Sequence, residues 1–388
     1  MKINYSNRLK ELPPYLFIEM DKKKKKAIDQ GINFISLGIG DPDISTPTHI
    51  VESMQKAVLN SKNHHYPFGT GSILYKNAII KWYKKRFNVN LNFDEICALI
   101  GSKEGIGHIH LGFVNPGDIV LIPDPGYPVY NTGTIFAGGV PYFMPLLEKN
   151  NFLPDLDKIP LNIAKRAKLI FVNYPNNPTA SIASKKFYSK LISFATTYNI
   201  IVAADTAYSE IYYNENNKPL SFLELPNAKE VGVEFHSLSK TYNMTGWRVG
   251  WVCGNKKIIS AIVKIKENYD SGVFQAIQEA ASVALKSSQK CVENIRSIYK
   301  ERKDVLIKGL RKIGWNVILP QGSFYVWTRV PNGYTSNQIV SKLFDEAMVI
   351  ATPGSGMGKN GEGYVRFALT AEISIIEKVV RRITKIKW

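Results

Sequence analysis

The chain has 388 residues, of which 45% are hydrophobic and 11% aromatic, enough apolar material for about two ordinary domains and too much for a largely disordered protein. Its formal charge of +18 raises the idea of nucleic-acid binding, but the lysines are dispersed, and the one dense run, residues 22–26, reads as the polar face of a helix ending near Gly31. No apolar run reaches the roughly 18 residues of a membrane span, the first residues do not read as a secretory signal, and Cys97, Cys253 and Cys291 are too widely spaced for a disulfide set or a zinc site. These features predict a cytoplasmic protein with reduced thiols, no membrane association and no nucleic-acid partner.

The first 40 residues are too irregular to fold alone and are expected to pack on a smaller domain or on a second subunit. From residue 96 the chain alternates short apolar runs with longer mixed segments. ICALIG leads into KEGIGHIHLGFV, DIVLIPD into YPVYNTGTIFA, and KLIFVNYP into KKFYSKLISFATTY; NIIVAAD, VEFHSLSK and WRVGWVCG follow. Short apolar runs separated by helical stretches predict an α/β domain around a mostly parallel sheet. Residues 255–314 read as helical and would join this domain to a compact α+β unit built from GWNVILP, SFYVWTRV, NQIVSKLFDEA, MVIATPG and GYVRFALT. The expected division is an N-terminal arm over 1–45, a large domain over 46–285 and a small C-terminal domain over 286–388.

Ligands in such folds bind past the carboxyl ends of the strands, so the polar residues found there are the candidates. In GSKEG, small residues after a strand open a helix whose free N–H groups suit an anion; the plainer alternative is a turn with Ser102 as helix cap. In VNYPNNPTA, Pro175 and Pro178 stiffen a loop from which Asn173 and Asn177 could reach a ligand, unless the loop is only a turn. Asp205 ends the apolar strand IIVAAD, where a carboxylate needs a cationic or protonated partner, unless it caps the next helix. Tyr208, three residues on, can present a phenol to the same ligand. GSGMGKNGEG lacks the spacing and the Ser or Thr of a phosphate loop and reads as a mobile glycine loop. His108 and His110 point in different directions from a helix, and no metal site is expected.

Asp205, Lys240 in SLSKTYNMTGWRVGW, Arg248 and Arg366 in GYVRFALT together resemble the pattern of the fold-type I, class I/II pyridoxal-phosphate aminotransferases. The resemblance spans essentially the whole chain, and with GSKEG and DPGYPVY it is most similar to the LL-diaminopimelate aminotransferases, with glutamate–pyruvate aminotransferases close by. It implies the aspartate aminotransferase-like fold, the cofactor pyridoxal 5'-phosphate, small amino-acid and keto-acid substrates, and a homodimer whose two active sites are each completed by the neighbour.

The resemblance also implies roles. Lys240 would bond covalently to the cofactor aldehyde and then carry the substrate proton; this requires a lowered pKa, to which Arg248 would contribute. Arg248, Ser237, Ser239, Ser102 and Lys103 would hold the phosphate, and Lys103 could also reach the far end of a substrate. Asp205 would keep the pyridine nitrogen protonated, Tyr208 and Asn177 would bind the ring oxygen, and Tyr127 would stack on the ring. Tyr66 would enter the neighbour's site. Arg366 would clamp the substrate carboxylate, with Asn173 and the backbone of Gly40 beside it. Ala180 stands where many relatives have glycine, so the loop after Pro178 is expected to run through ordinary backbone angles.

Overall fold

The computed structural model describes residues 1, 3–13, 25, 26, 28, 29, 31, 33–67 and 69–388. The expected helix over 22–31 falls partly outside them; Lys25, Lys26, Ile28 and Asp29 are helical.

The short β1 (Ile35–Ser36) precedes a seven-stranded sheet made of β2 (Ile96–Leu99), β3 (Ile119–Asp124), β4 (Val140–Pro145), β5 (Ala167–Asn173), β6 (Ile201–Asp205), β7 (Gly232–Ser237) and β8 (Gly250–Gly254). The spatial order is β2-β8-β7-β6-β5-β3-β4. Every pairing from β7 through to β4 is parallel, and β8 alone runs antiparallel to both its neighbours. The inner strands are buried on both faces, which is why they read as continuous apolar runs. Alternate residues serve opposite faces: Ile170, Val202 and Ala204 join one apolar cluster, and Leu169, Phe171, Ala203 and Phe235 join another.

β4 was not legible as a strand. It lies at the sheet edge, only Met144 in it is fully buried, and it carries Pro141 and Pro145, which an edge strand tolerates. The helical region after residue 255 is three helices, Lys256–Tyr269, Gln275–Lys286 and the 23-residue Lys290–Lys312. A second sheet pairs β9 (Tyr325–Arg329), β11 (Thr352–Pro353) and β12 (Tyr364–Ala368) in antiparallel fashion around a separate apolar cluster. β1 pairs in parallel with β10 (Val349–Ile350), so the N-terminal segment is stitched to this second unit. Arg302, buried in the long helix, strengthens the junction by gripping Asp43 with both terminal nitrogens at 2.7 and 2.8 Å.

Two local expectations are overturned. Ala180 does not take ordinary angles: its φ is +59°. Hydrogen bonds on both sides impose the bend, with Ala180 N donating to Asn176 O, Asn176 N donating to Ser181 O, and Gln321 N and Gly322 N both donating to Ala180 O. A left-handed alanine costs about 1–2 kcal/mol, and this network holds it there. Nor does the glycine segment 354–363 hang loose. It forms two tight turns, Gly354–Met357 and Lys359–Gly361, pinned by Gly126 N to Met357 O and by Asn360 Nδ2 to Asp124 Oδ2 at 2.6 Å. Gly358, at φ +139°, is needed because a Cβ there would overlap the Asp124 carboxylate.

Candidate active site

The parallel strands end together, and their ends supply the floor of a cavity of about 360 Å³. Asn173 closes β5, Asp205 closes β6 and Ser237 closes β7; Asn173 and Asp205 face each other in register. The cavity is lined by Gly40, Ser102, Lys103, Tyr127, Asn173, Asn177, Asp205, Tyr208, Ser237, Ser239, Lys240, Arg248 and Arg366, which is every candidate from the sequence except Tyr66. Tyr66 is 93% exposed and lies outside this cavity. Ile39, Ala207, Thr245 and Tyr325 also line it and were not anticipated.

Lys240 sits on the short helix Leu238–Thr241, started by Ser237, whose Oγ accepts from Ser239 N at 3.2 Å. Its ammonium donates to Gly40 O at 3.2 Å. Burial, above all, pushes the Lys240 pKa down to about 8; Arg248 and Arg366 lower it further, and Asp41 opposes them. The expected neighbouring cation therefore contributes, but desolvation is the larger cause. Arg248 is held at φ +52°, with Nη1 donating to Thr245 O at 2.9 Å. Gly101 must be glycine: its φ is +73°, and a Cβ would overlap the Arg248 guanidinium. Gly101, not Ser102, takes the cap position of helix Ser102–Phe113; Ser102 is the first helical residue.

Asp205 does not cap a helix. Its Oδ2 accepts from Tyr130 Oη at 2.7 Å and its Oδ1 only a long 3.3 Å bond from Ala207 N. Burial raises its pKa, partly offset by the Tyr130 bond. Asn173 frames this corner with both ends of its amide, Nδ2 to Asp205 O and Oδ1 from Asn177 N. Tyr208 Oη and Tyr325 Oη are 3.1 Å apart. Arg366 is buried, with Nη1 donating to Asn177 Oδ1 and Nη2 to Gly38 O, each at 2.7 Å, and its Cζ 4.3 Å from the centre of the Tyr325 ring. Its Nε is buried without a hydrogen-bond partner. Gly40 packs against Tyr325 so closely that a Cβ would overlap the hydroxyl.

Three features fit pyridoxal 5'-phosphate. The N-terminus of helix Ser102–Phe113, the Ser237 and Ser239 hydroxyls and Arg248 converge as an anion cup. The buried, under-satisfied Oδ1 of Asp205 calls for a protonated donor. The buried amine of Lys240 is close enough to neutral at physiological pH to act as a nucleophile. Beside it, Arg366, with its orphaned Nε, suits a substrate carboxylate.

Residues 32–383 match the family described as Aminotransferase class I and II. The chain is 53% identical to the LL-diaminopimelate aminotransferase of Aquifex aeolicus over 99% of both chains, and 51% identical to that of Maridesulfovibrio salexigens over 98% of both. Among solved structures, substrate-bound BacF from Bacillus subtilis superposes with a TM-score of 0.95 at 39% identity, covering 99% of this chain and 98% of BacF.

Proposed function

Because this chain belongs to the class I and II aminotransferases and is a pyridoxal 5'-phosphate enzyme of that family, we propose that it moves an amino group between glutamate/2-oxoglutarate and LL-2,6-diaminopimelate/tetrahydrodipicolinate, in lysine biosynthesis. The observation that carries the substrate is the full-length likeness to enzymes bearing that name.

The cofactor, when bound, draws electrons from the substrate α-carbon and makes its proton acidic. The chain's own residues do the rest. The helix Ser102–Phe113, Ser237, Ser239 and Arg248 bind the phosphate, with Lys103 at the rim. Asp205, its second oxygen fixed by Tyr130, holds a proton at the ring nitrogen. Tyr208 and Asn177 bind the ring oxygen, and Tyr127 covers the ring face. Arg366 receives the α-carboxylate, and its stacking on Tyr325 fixes the plane of its fork. Lys240, when not bonded to the cofactor, would take the α-proton at Nζ and deliver it onward within the same half-cycle; a pKa near 8 lets one group serve as both base and acid.

Exposed Tyr66, together with exposed apolar side chains of Ile3 and Tyr5, supports a homodimer in which Tyr66 enters the neighbouring site. We also assign the protein to the cytoplasm, in keeping with its free cysteines.

The substrate assignment is tested by kcat/KM for LL-diaminopimelate and for alanine, each with 2-oxoglutarate. A site built to meet a distal charged end leaves polar groups unpaired when a methyl group binds. A strong preference for LL-diaminopimelate is expected; equal or better turnover of alanine would replace this reading with a glutamate–pyruvate enzyme.

A further inference from the structure

The helix that presents free N–H groups to the cavity also carries a carboxylate in its first turn, Glu104. Glu104 Oε2 accepts from Ile100 N at 2.6 Å and so braces the turn between β2 and Ser102. A carboxylate at this position is attracted by the same partial positive pole that would hold a phosphate. Left alone, it would compete with the phosphate for that pole and repel it. Glu104 is not left alone. The fully buried Lys266, from helix Lys256–Tyr269, places Nζ 2.7 Å from Glu104 Oε1 and 3.0 Å from Asp270 Oδ1. His108 Nδ1 stands 2.9 Å from the same Glu104 oxygen. Burial works against the Lys266 ammonium, but Glu104 and Asp270 outweigh it and raise its pKa. Burial likewise opposes the Glu104 charge, and His108 and Lys266 more than offset it. The ligand atoms of Glu104, His108 and Asp270 lie within 4.8 Å of one another, a spacing that could suit a metal, but here the Lys266 ammonium bonds two of the three.

We infer that Lys266 is a positioning residue for the cofactor: by neutralising Glu104 it lets that carboxylate brace the Ile100 turn without repelling a phosphate bound at the start of the same helix. The two jobs of the helix start, bracing its own backbone and binding an anion, are thereby made compatible. None of the roles implied by the sequence involved either residue.

The test compares binding of pyridoxal 5'-phosphate with that of pyridoxal, which lacks the phosphate, to the cofactor-free protein by absorbance titration. Lys266→Met should weaken pyridoxal 5'-phosphate binding about tenfold or more and pyridoxal binding much less, since one unit charge is uncovered beside the anion. Glu104→Gln alone should keep phosphate affinity within about threefold of wild type or improve it. The pair Glu104→Gln/Lys266→Met should recover most of the loss, and it keeps the test open if Lys266→Met alone fails to fold. Equal losses for the two ligands, or no recovery in the double variant, would overturn the inference. The inference rests on the phosphate occupying this cup; if that assignment is wrong, wild-type protein will bind both ligands equally, a result separate from either variant's.

Discussion

Tyr130 Oη donates to Asp205 Oδ2 at 2.7 Å, and among the described residues it is the one side-chain donor to that buried carboxylate. The bond favours the charged form of Asp205 against burial, which favours the neutral one. Tyr130→Phe removes that support, so the Asp205 pKa rises further. The acid limb of kcat/KM should shift to higher pH with the alkaline limb in place. An unmoved acid limb would show that Asp205 is held ionised by some other group.

Asp205→Asn keeps the shape of the side chain and loses its charge. Losing a preorganised charge costs on the order of 10² to 10³ in rate. Turnover should fall by that amount while cofactor is partly retained, measured by steady-state kinetics and the visible absorbance of the purified protein. Wild-type kcat would assign the ring nitrogen to another partner.

Lys240→Ala should abolish transamination by several orders of magnitude and remove the visible absorbance shift on adding glutamate. It also yields a stability signature in cofactor-free protein. The folded pKa of Lys240 is depressed to about 8 from an ordinary 10.5. Between those values the unfolded chain binds more protons than the folded one, so wild-type stability from this group rises with pH. Any advantage of Lys240→Ala in melting temperature at pH 7 should therefore shrink from pH 8 toward pH 10. A pH-independent difference would place the amine in a more polar setting.

Gly40→Ala would drive a methyl group into the Tyr325 hydroxyl and displace the ring on which Arg366 stacks. A shift of about 1 Å at such a group can cost about 100-fold. We expect kcat/KM to drop roughly 10- to 100-fold with an unchanged circular dichroism spectrum. Full activity would mean that Tyr325 does not position Arg366.

Asn360→Ala removes one strong bond to the Asp124 carboxylate, which burial already pushes toward the neutral form. Bonds to charged groups are worth about 1.5–3 kcal/mol, and urea unfolding should register a loss of that size. The exchange Asp124→Asn/Asn360→Asp keeps a donor and an acceptor facing each other and should restore most of it. No recovery would locate the effect elsewhere in the glycine segment.

The parts of the fold that could be read from the sequence are those where one physical cause dominates. β3, β5 and β6 announced themselves because burial on both faces keeps them apolar up to their last residue, with exposed Lys168 in β5 as the exception. Asn173 and Asp205 could be picked out as candidates because each is a polar residue at the end of such a run, whereas Ser237 came only from the family resemblance. β4 was hidden by its solvent-facing side chains and two prolines. Tyr130 and Tyr325 were hidden for a different reason: each lies in a stretch whose apolar pattern already accounted for an aromatic, and only the folded geometry turns its hydroxyl toward Asp205 or Tyr208. The bend at Ala180 was misjudged because residues far along the chain, Gln321 and Gly322, impose it.

The grip of Arg302 on Asp43 makes the 23-residue helix Lys290–Lys312 a lever arm. Asp43 is three residues from Gly40, whose carbonyl receives the Lys240 ammonium. A tilt of the helix would be passed along that short tether to Gly40, whose carbonyl oxygen accepts from the Lys240 amine.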